Sequence, residues 1–317
     1  MITSFFEKSK PFHFLILGAL IIFGFVWTLL FLQSTSLTAN DVLTIGPLIG
    51  ATVLSIVLLD FILSKNNLTR RNAYTIFIYT SFMIMLPIIF ESFEILWANI
   101  FLMLSLRRIF SLRNDSNSEA KIFEAALWIT LASLFYFWSL LFLVPLWIAV
   151  IKKPRRTYKQ MLIPVVGFLT VLLLNFVYHL LINDRSVIFF EKAPIIGWDW
   201  TAYHSVQILL PATLIFAILI WSGGHRMQNP ASIPLKERAN YWMLFIVTFT
   251  SIAVAVCAQV KDGSELIFLF APTAILCANY IEGNQNNRFR EKDKAEVWFK
   301  EMLLWVIAIF GIVFLLI

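Results

Sequence analysis

Charge is scarce in this chain. Only 14% of its 317 residues are Asp, Glu, Lys or Arg, where a soluble globular domain carries about a quarter. That deficit argues against an ordinary water-soluble fold. Cysteine is nearly missing as well. Cys257 and Cys277 both lie in apolar runs, so there is no disulfide framework and no Cys-based metal spacing, and they read as small packing residues. The four histidines, His13, His179, His204 and His225, are scattered over different segments, which gives a haem or metal site little support. No P-loop, H-E-x-x-H, G-x-S-x-G or C-x-x-C motif occurs, so the chemistries those motifs carry have no footing. Acids at mid-depth of the apolar runs are also lacking, which argues against an ion-coupled transporter. Low-complexity segments and fixed-period repeats are absent.

Apolar length is what the chain has. Sixty per cent of residues are hydrophobic and the mean hydropathy is +0.81. Eleven runs separate, at 11–32, 44–63, 75–90, 95–110, 122–137, 139–151, 161–182, 204–221, 241–260, 266–281 and 298–316. Several fall short of the roughly 20 residues that a perpendicular span needs, so tilted or shielded re-entrant segments are expected. Lys121 and Lys152 bracket about 30 residues by numbering, too many for one ordinary span and few for two. Both ends being basic, the stretch predicts a tight helical hairpin turning at 136–138. Lys8 and Lys10 precede a run too long for a signal-peptide core, with no A-x-A-like site after it, and this reads as a retained first span. The class expected is all-α: a polytopic helical membrane protein of about eleven segments, one pair a short hairpin, forming a single integral domain over 1–317.

Charge placement orients it. If the N-terminus is cytoplasmic and the segments alternate, every Lys and Arg except Arg185, Lys192 and Lys261 falls on the cytoplasmic side. That is the bias the positive-inside rule describes, and it puts the C-terminus in the periplasm of a bacterial inner membrane. The net charge of +6 is then topology, and no nucleic-acid partner is implied. Asp60 and Glu124, near cytoplasmic ends, are expected to form ion pairs with Lys65 and Lys121.

The outer loops hold the candidate chemistry: Asp41, then Glu91 and Glu94, then Arg185, Glu191, Lys192 and Asp199, then Lys261, Asp262 and Glu265. Carboxylates serve as general bases or hold a divalent metal, and cations hold a lipid phosphate. Charges in short polar loops also simply face water. Pro47, Pro87, Pro145, Pro164, Pro211 and Pro272 punctuate the runs, and membrane helices tolerate them.

One arrangement is familiar. Met85-Leu86-Pro87, then Glu94-Ile95-Leu96, then Asn99 to Arg108, the hairpin, the basic run 152–159 and the long run from Met161 resemble the middle of the GT-C superfamily of membrane glycosyltransferases, which use polyprenyl-phosphate sugar donors at the outer face. Lys261-Asp262-Gly263-Ser264-Glu265 before a proline-centred helix is similar to the C-terminal end of such enzymes. The resemblance implies that Asp41 is a general base or metal ligand, that Lys261, with Arg185 or Lys192, meets the lipid phosphate, and that Glu94 is a secondary acid. The first outer loop, 33–43, departs from the superfamily, being short and having Asn40-Asp41 in place of an acidic pair. As a whole the chain also resembles an uncharacterised integral-membrane family of Bacteroidetes, which implies no activity. Two other readings stand beside the transferase: a non-catalytic membrane subunit of an envelope or secretion assembly, and a transporter or flippase of lipid-linked cargo. Membrane lipid and membrane-protein partners are expected in either case.

Overall fold

Twelve α-helices make up most of the described chain, joined by short 3-10 turns. The structure, a computed structural model, describes residues 2–28, 39–113, 117–153, 157–183, 195–228, 238–282 and 294–316. The helices are α1 (Ile2–Phe6), α2 (Pro11–Trp27), α3 (Ala39–Asn66), α4 (Tyr74–Met85), α5 (Phe93–Ser111), α6 (Ser118–Phe135), α7 (Leu143–Ile151), α8 (Tyr158–Asn183), α9 (Val206–Gln228), α10 (Arg238–Cys257), α11 (Ile267–Glu282) and α12 (Lys294–Leu316).

Proline sets several boundaries. Pro11 opens α2, where its missing N–H costs nothing. Pro87 ends α4 through Leu86, which leaves the helical region (φ −125°, ψ 78°), and then opens a 3-10 turn, Pro87–Phe90. Pro47, Pro164, Pro211 and Pro272 sit inside α3, α8, α9 and α11. Hydroxyls inside the helices turn back on their own backbone: Ser81, Thr130, Ser222, Thr248 and Ser251 each donate to the carbonyl four residues earlier. An apolar solvent offers these hydroxyls no water, so the helix itself supplies the acceptor.

The predicted hairpin region runs as helix, turn and helix. α6 stops at Phe135, Tyr136 is extended (φ −140°, ψ 102°), and the 3-10 turn Phe137–Phe142 and α7 pack back on α6. At the centre lie α4, every residue of which is buried, and α11. α11 packs on α4, α9 and α10, and α4 also meets α12 and α2. A helix apolar all round belongs inside a bundle. α8 is the opposite case: only 11% of its apolar stretch is buried, and Leu162, Leu173 and Leu181 stand exposed. A long helix bare on most of its apolar surface needs lipid around it.

Among the described residues six helices are long and apolar enough to cross a membrane, namely Ile45–Asn66, Tyr158–Ile182, Val206–Gln228, Arg238–Cys257, Ser264–Glu282 and Glu296–Phe314. Pro11–Trp27, Tyr74–Met85 and Phe137–Ile151 are shorter apolar helices. Of the eleven segments expected from hydropathy, six thus meet the length and composition of a full span among the described residues. α5 and α6 carry Glu94, Arg107, Arg108, Glu119, Lys121 and Glu124, whose charges lower their apolar character.

The bundle has two ends of different character. At the first, Ser9 N–H reaches the Arg71 carbonyl (3.4 Å) and Ala73 N–H the Phe6 carbonyl (3.0 Å). Glu282, the last residue of α11, accepts there from the backbone N–H of Arg70 (3.1 Å to either oxygen) and the side chain of Asn72 (2.7 Å). Glu124 corrects the sequence reading: its partner is Arg108 of α5, and Lys121 donates instead to the Ser111 carbonyl (3.1 Å). Packing of α5 on α6 brings Arg108 within reach, which spacing along α6 alone does not reveal. Nor does an ion pair join Asp60 to Lys65 among the described residues.

Candidate functional site

Two connections meet at the other end, the segment 195–205 before α9 and the segment 258–266 between α10 and α11. Their backbones join first. Gly197 N–H donates to the Ala258 carbonyl (3.0 Å), and a Cβ at position 197 would lie 1.9 Å from the Gln259 carbonyl oxygen. Only glycine lets the strands of backbone come this close.

Side chains then lock the two segments. Tyr203 Oη donates to Glu265 Oε1 at 2.7 Å, and Gly263 N–H donates to Glu265 Oε2 at 2.9 Å. Both carboxyl oxygens are therefore served although Glu265 is 1% exposed, as a buried acid requires. Lys261, 4% exposed, donates to the Val256 carbonyl, and its Nζ lies 4.0 Å from the centroid of the Trp200 ring. An ammonium over an indole face is a favourable, partly desolvated contact. Asp262 Oδ1 accepts from the backbone N–H (3.0 Å) and the hydroxyl of Ser264, and Asp199 Oδ1 accepts from Thr201 N–H (3.0 Å). Tyr136 adds a second phenol: its ring centroid is 5.1 Å from that of Phe268, and its buried hydroxyl finds no hydrogen-bond partner among the described residues.

Burial pushes the Tyr203 hydroxyl well above its usual titration range, and the negative charge of Glu265 pushes the same way. Burial lowers Lys261, and Glu265 pulls against that shift. Asp199 is held below the usual carboxylate range by the Thr201 N–H it accepts from.

Of the residues singled out from sequence, Lys261, Asp262, Glu265 and Asp199 belong to this cluster, and of these the resemblance had given a role to Lys261. Glu94 lies exposed in the first turn of α5, next to Phe93, whose ring stands 6.4 Å from that of Phe135 at the end of α6. Asp41 falls in the first turn of α3, but its carboxyl lies outside the described side chains, and Arg185 and Lys192 lie outside the described residues. Trp200 and Tyr203 carry no sequence motif that marks them, and Glu265 stood among the outer-loop carboxylates without an assigned role. The aromatic run Trp198-Asp199-Trp200-Thr201-Ala202-Tyr203 was the available signal, since aromatic side chains in a polar loop want a partner.

A family model matches residues 9–317. The chain belongs to DUF6427, a family of unknown function. No curated protein and no solved structure matches it. The DUF6427 match covers α2 to α12, so the cluster around Lys261 and Glu265 lies wholly within the family's extent. Among the described residues of this DUF6427 member, no three His, Cys, Asp or Glu side chains are grouped to hold a metal ion.

Proposed function

We propose that this DUF6427 member is a multi-pass protein of the bacterial cytoplasmic membrane, with α2 to α12 as its eleven segments, a cytoplasmic N-terminus and a periplasmic C-terminus. Charge supports the orientation: all Lys and Arg but Arg185, Lys192 and Lys261 fall, in sequence, on connections that alternate to the end of Arg70 and Arg108. Exposed Trp198 and Ile195 at the other end suit a membrane–water interface. The test is labelling of Ser9→Cys and Ser205→Cys by an impermeant maleimide in a Cys257→Ser/Cys277→Ser background. Ser205→Cys is expected to react from outside and Ser9→Cys only after permeabilisation. The reverse pattern overturns the orientation.

We infer further that the protein acts at the periplasmic face on a polyprenyl-phosphate-linked sugar, as a GT-C-like transferase of envelope glycan assembly. The observation that carries this reading is the union of Lys261 and Glu265 with Trp200 and Tyr203, which sets a cation, a carboxyl and aromatic faces on one outer unit. In the reaction, Asp41 takes the proton of the acceptor hydroxyl, with Glu94 as the secondary acid; were a divalent metal bound, Asp41 would be the residue to hold it and the metal would supply charge to polarise that hydroxyl. The acceptor oxygen attacks the anomeric carbon, the bond from that carbon to the phosphate oxygen breaks, and the lipid phosphate leaves with the electron pair. Lys261, with Arg185 or Lys192, neutralises the departing charge. Lys261 must first exchange the Val256 carbonyl for phosphate, and an ionised acceptor outcompetes a neutral one. Mass spectrometry of the protein purified in lipid is expected to find a polyprenyl-phosphate lipid that is lost in Lys261→Ala. Its absence from wild type overturns the reading.

A non-catalytic membrane subunit is the second reading, favoured by one observation: Lys261, Asp262 and Glu265 each already have partners within the chain. If correctly inserted Asp41→Ala and Lys261→Ala proteins sustain glycan assembly and keep stoichiometric partners in mild detergent, the subunit reading stands and the transferase falls.

A further inference from the structure

α6 and α8 cross tightly at Gly167, where a Cβ would sit 2.7 Å from Ala126 Cβ and 3.2 Å from the Phe123 carbonyl oxygen. Beside this crossing a groove of about 410 Å³ opens between the two helices. Leu127, Leu131 and Leu134 of α6 and Val171 and Leu174 of α8 line it, and Trp128 is held in place by stacking on Phe101 (centroids 5.7 Å apart, 12° between planes). Of the six long apolar helices, α8 is the least buried, so the groove faces the hydrocarbon.

Charge gathers at one end of the groove. Glu124 closes its lining there and is paired with Arg108 of α5. Arg107 lies beside Arg108, its guanidinium 4.4 Å from the Phe61 ring centroid, and Lys121 lies one turn before Glu124 on α6. Two guanidiniums thus stand against the one carboxylate in the groove lining. A guanidinium has five N–H donors, so Arg108 keeps Glu124 and still serves a second anion. Long basic side chains near helix ends reach the headgroup level, and basic pockets between membrane helices suit anionic headgroups.

We propose that the α6–α8 groove is a binding site for an anionic phospholipid, with one acyl chain along Leu127, Leu131 and Leu134 and the phosphate on Arg108 and Arg107. Apolar walls alone admit any chain, and the two guanidiniums select the charge. The inference stands apart from the transferase reading and holds whichever leaflet this end faces.

The test is native mass spectrometry of the whole protein released from nanodiscs of phosphatidylcholine mixed with phosphatidylglycerol. Wild type is expected to retain phosphatidylglycerol over phosphatidylcholine by about fivefold or more, the worth of one cation near a charged headgroup. Leu131→Trp, which fills the groove, is expected to lose the retained lipid. Leu173→Trp, on the exposed face of α8, is expected to keep it. Arg107→Gln/Arg108→Gln/Glu124→Gln, which removes both guanidiniums together with the paired carboxylate, is expected to keep a lipid but lose the preference. Equal retention of the two lipids by wild type, or full phosphatidylglycerol retention by a folded Leu131→Trp protein, overturns the proposal.

Discussion

Tyr203 and Glu265 stand 62 positions apart in sequence, yet the phenol donates to the carboxyl across 2.7 Å. That bond ties the connection before α9 to the turn that launches α11, the helix at the bundle centre. Tyr203→Phe removes the donor and leaves Glu265 Oε1 buried without a partner, at a cost of about 1–3 kcal/mol. Thermal unfolding in detergent is expected to show a lowered midpoint. Tyr203→Phe/Glu265→Leu, with neither partner left unsatisfied, is expected to cost less than the two single changes added together. Strict additivity would show that the bond contributes nothing.

Glu301 of α12 holds the N-terminus: its carboxyl accepts from the backbone N–H of Ile2, the N–H of Thr3 (3.1 Å) and the Thr3 hydroxyl. Glu301→Ala is expected to speed amide exchange in residues 2–6 while α4 and α11 stay protected, because Tyr74 Oη still donates to the Thr3 carbonyl (2.7 Å) and the opening stays local. Unchanged exchange in α1, read by mass spectrometry, would sink the assignment.

Two glycines inside helices are expected to behave in opposite ways. Gly167→Val forces side-chain atoms against Ala126 and Phe123, and overpacking of this kind costs about 1–3 kcal/mol. Gly50→Ala meets nothing within 4 Å and is expected to stabilise by about 0.4–1 kcal/mol through the unfolded chain. A melting series on both variants checks the signs, and a stabilised Gly167→Val would refute the close crossing of α6 and α8.

Asp199 supplies a pH test. The Thr201 N–H holds its folded pKa below the unfolded one, so its contribution is complete above the ordinary carboxylate pKa of about 3.9. That contribution is lost as pH falls through the lower folded value. The Thr201 amide resonance is expected to move in that acid range, and to stay put in Asp199→Asn, whose side-chain oxygen accepts without titrating. An acid shift surviving in Asp199→Asn would exclude the carboxyl as its cause.

Much of the architecture was legible along the chain. Runs such as 161–182 announce α8 because an apolar surface of that length has only lipid to face, and Pro87 announces the end of α4 because the residue before proline leaves the helical region. Lys261 was legible as one of three cations that depart from the alternation of charge along the chain. Its partners were not. Glu124 illustrates the difference: its neighbour along α6 is Lys121, but helix packing hands it to Arg108.

Composition, hydropathy and the spacing of basic residues by themselves determined an all-helical membrane chain, since those properties act locally, residue against solvent. Tertiary structure alone decided that Glu265 is buried and served by Tyr203, that Lys261 turns to Trp200, and that α6 and α8 leave a groove beside Gly167. Such contacts join residues far apart in sequence, and close packing, which the order of residues does not display, selects which of them meet.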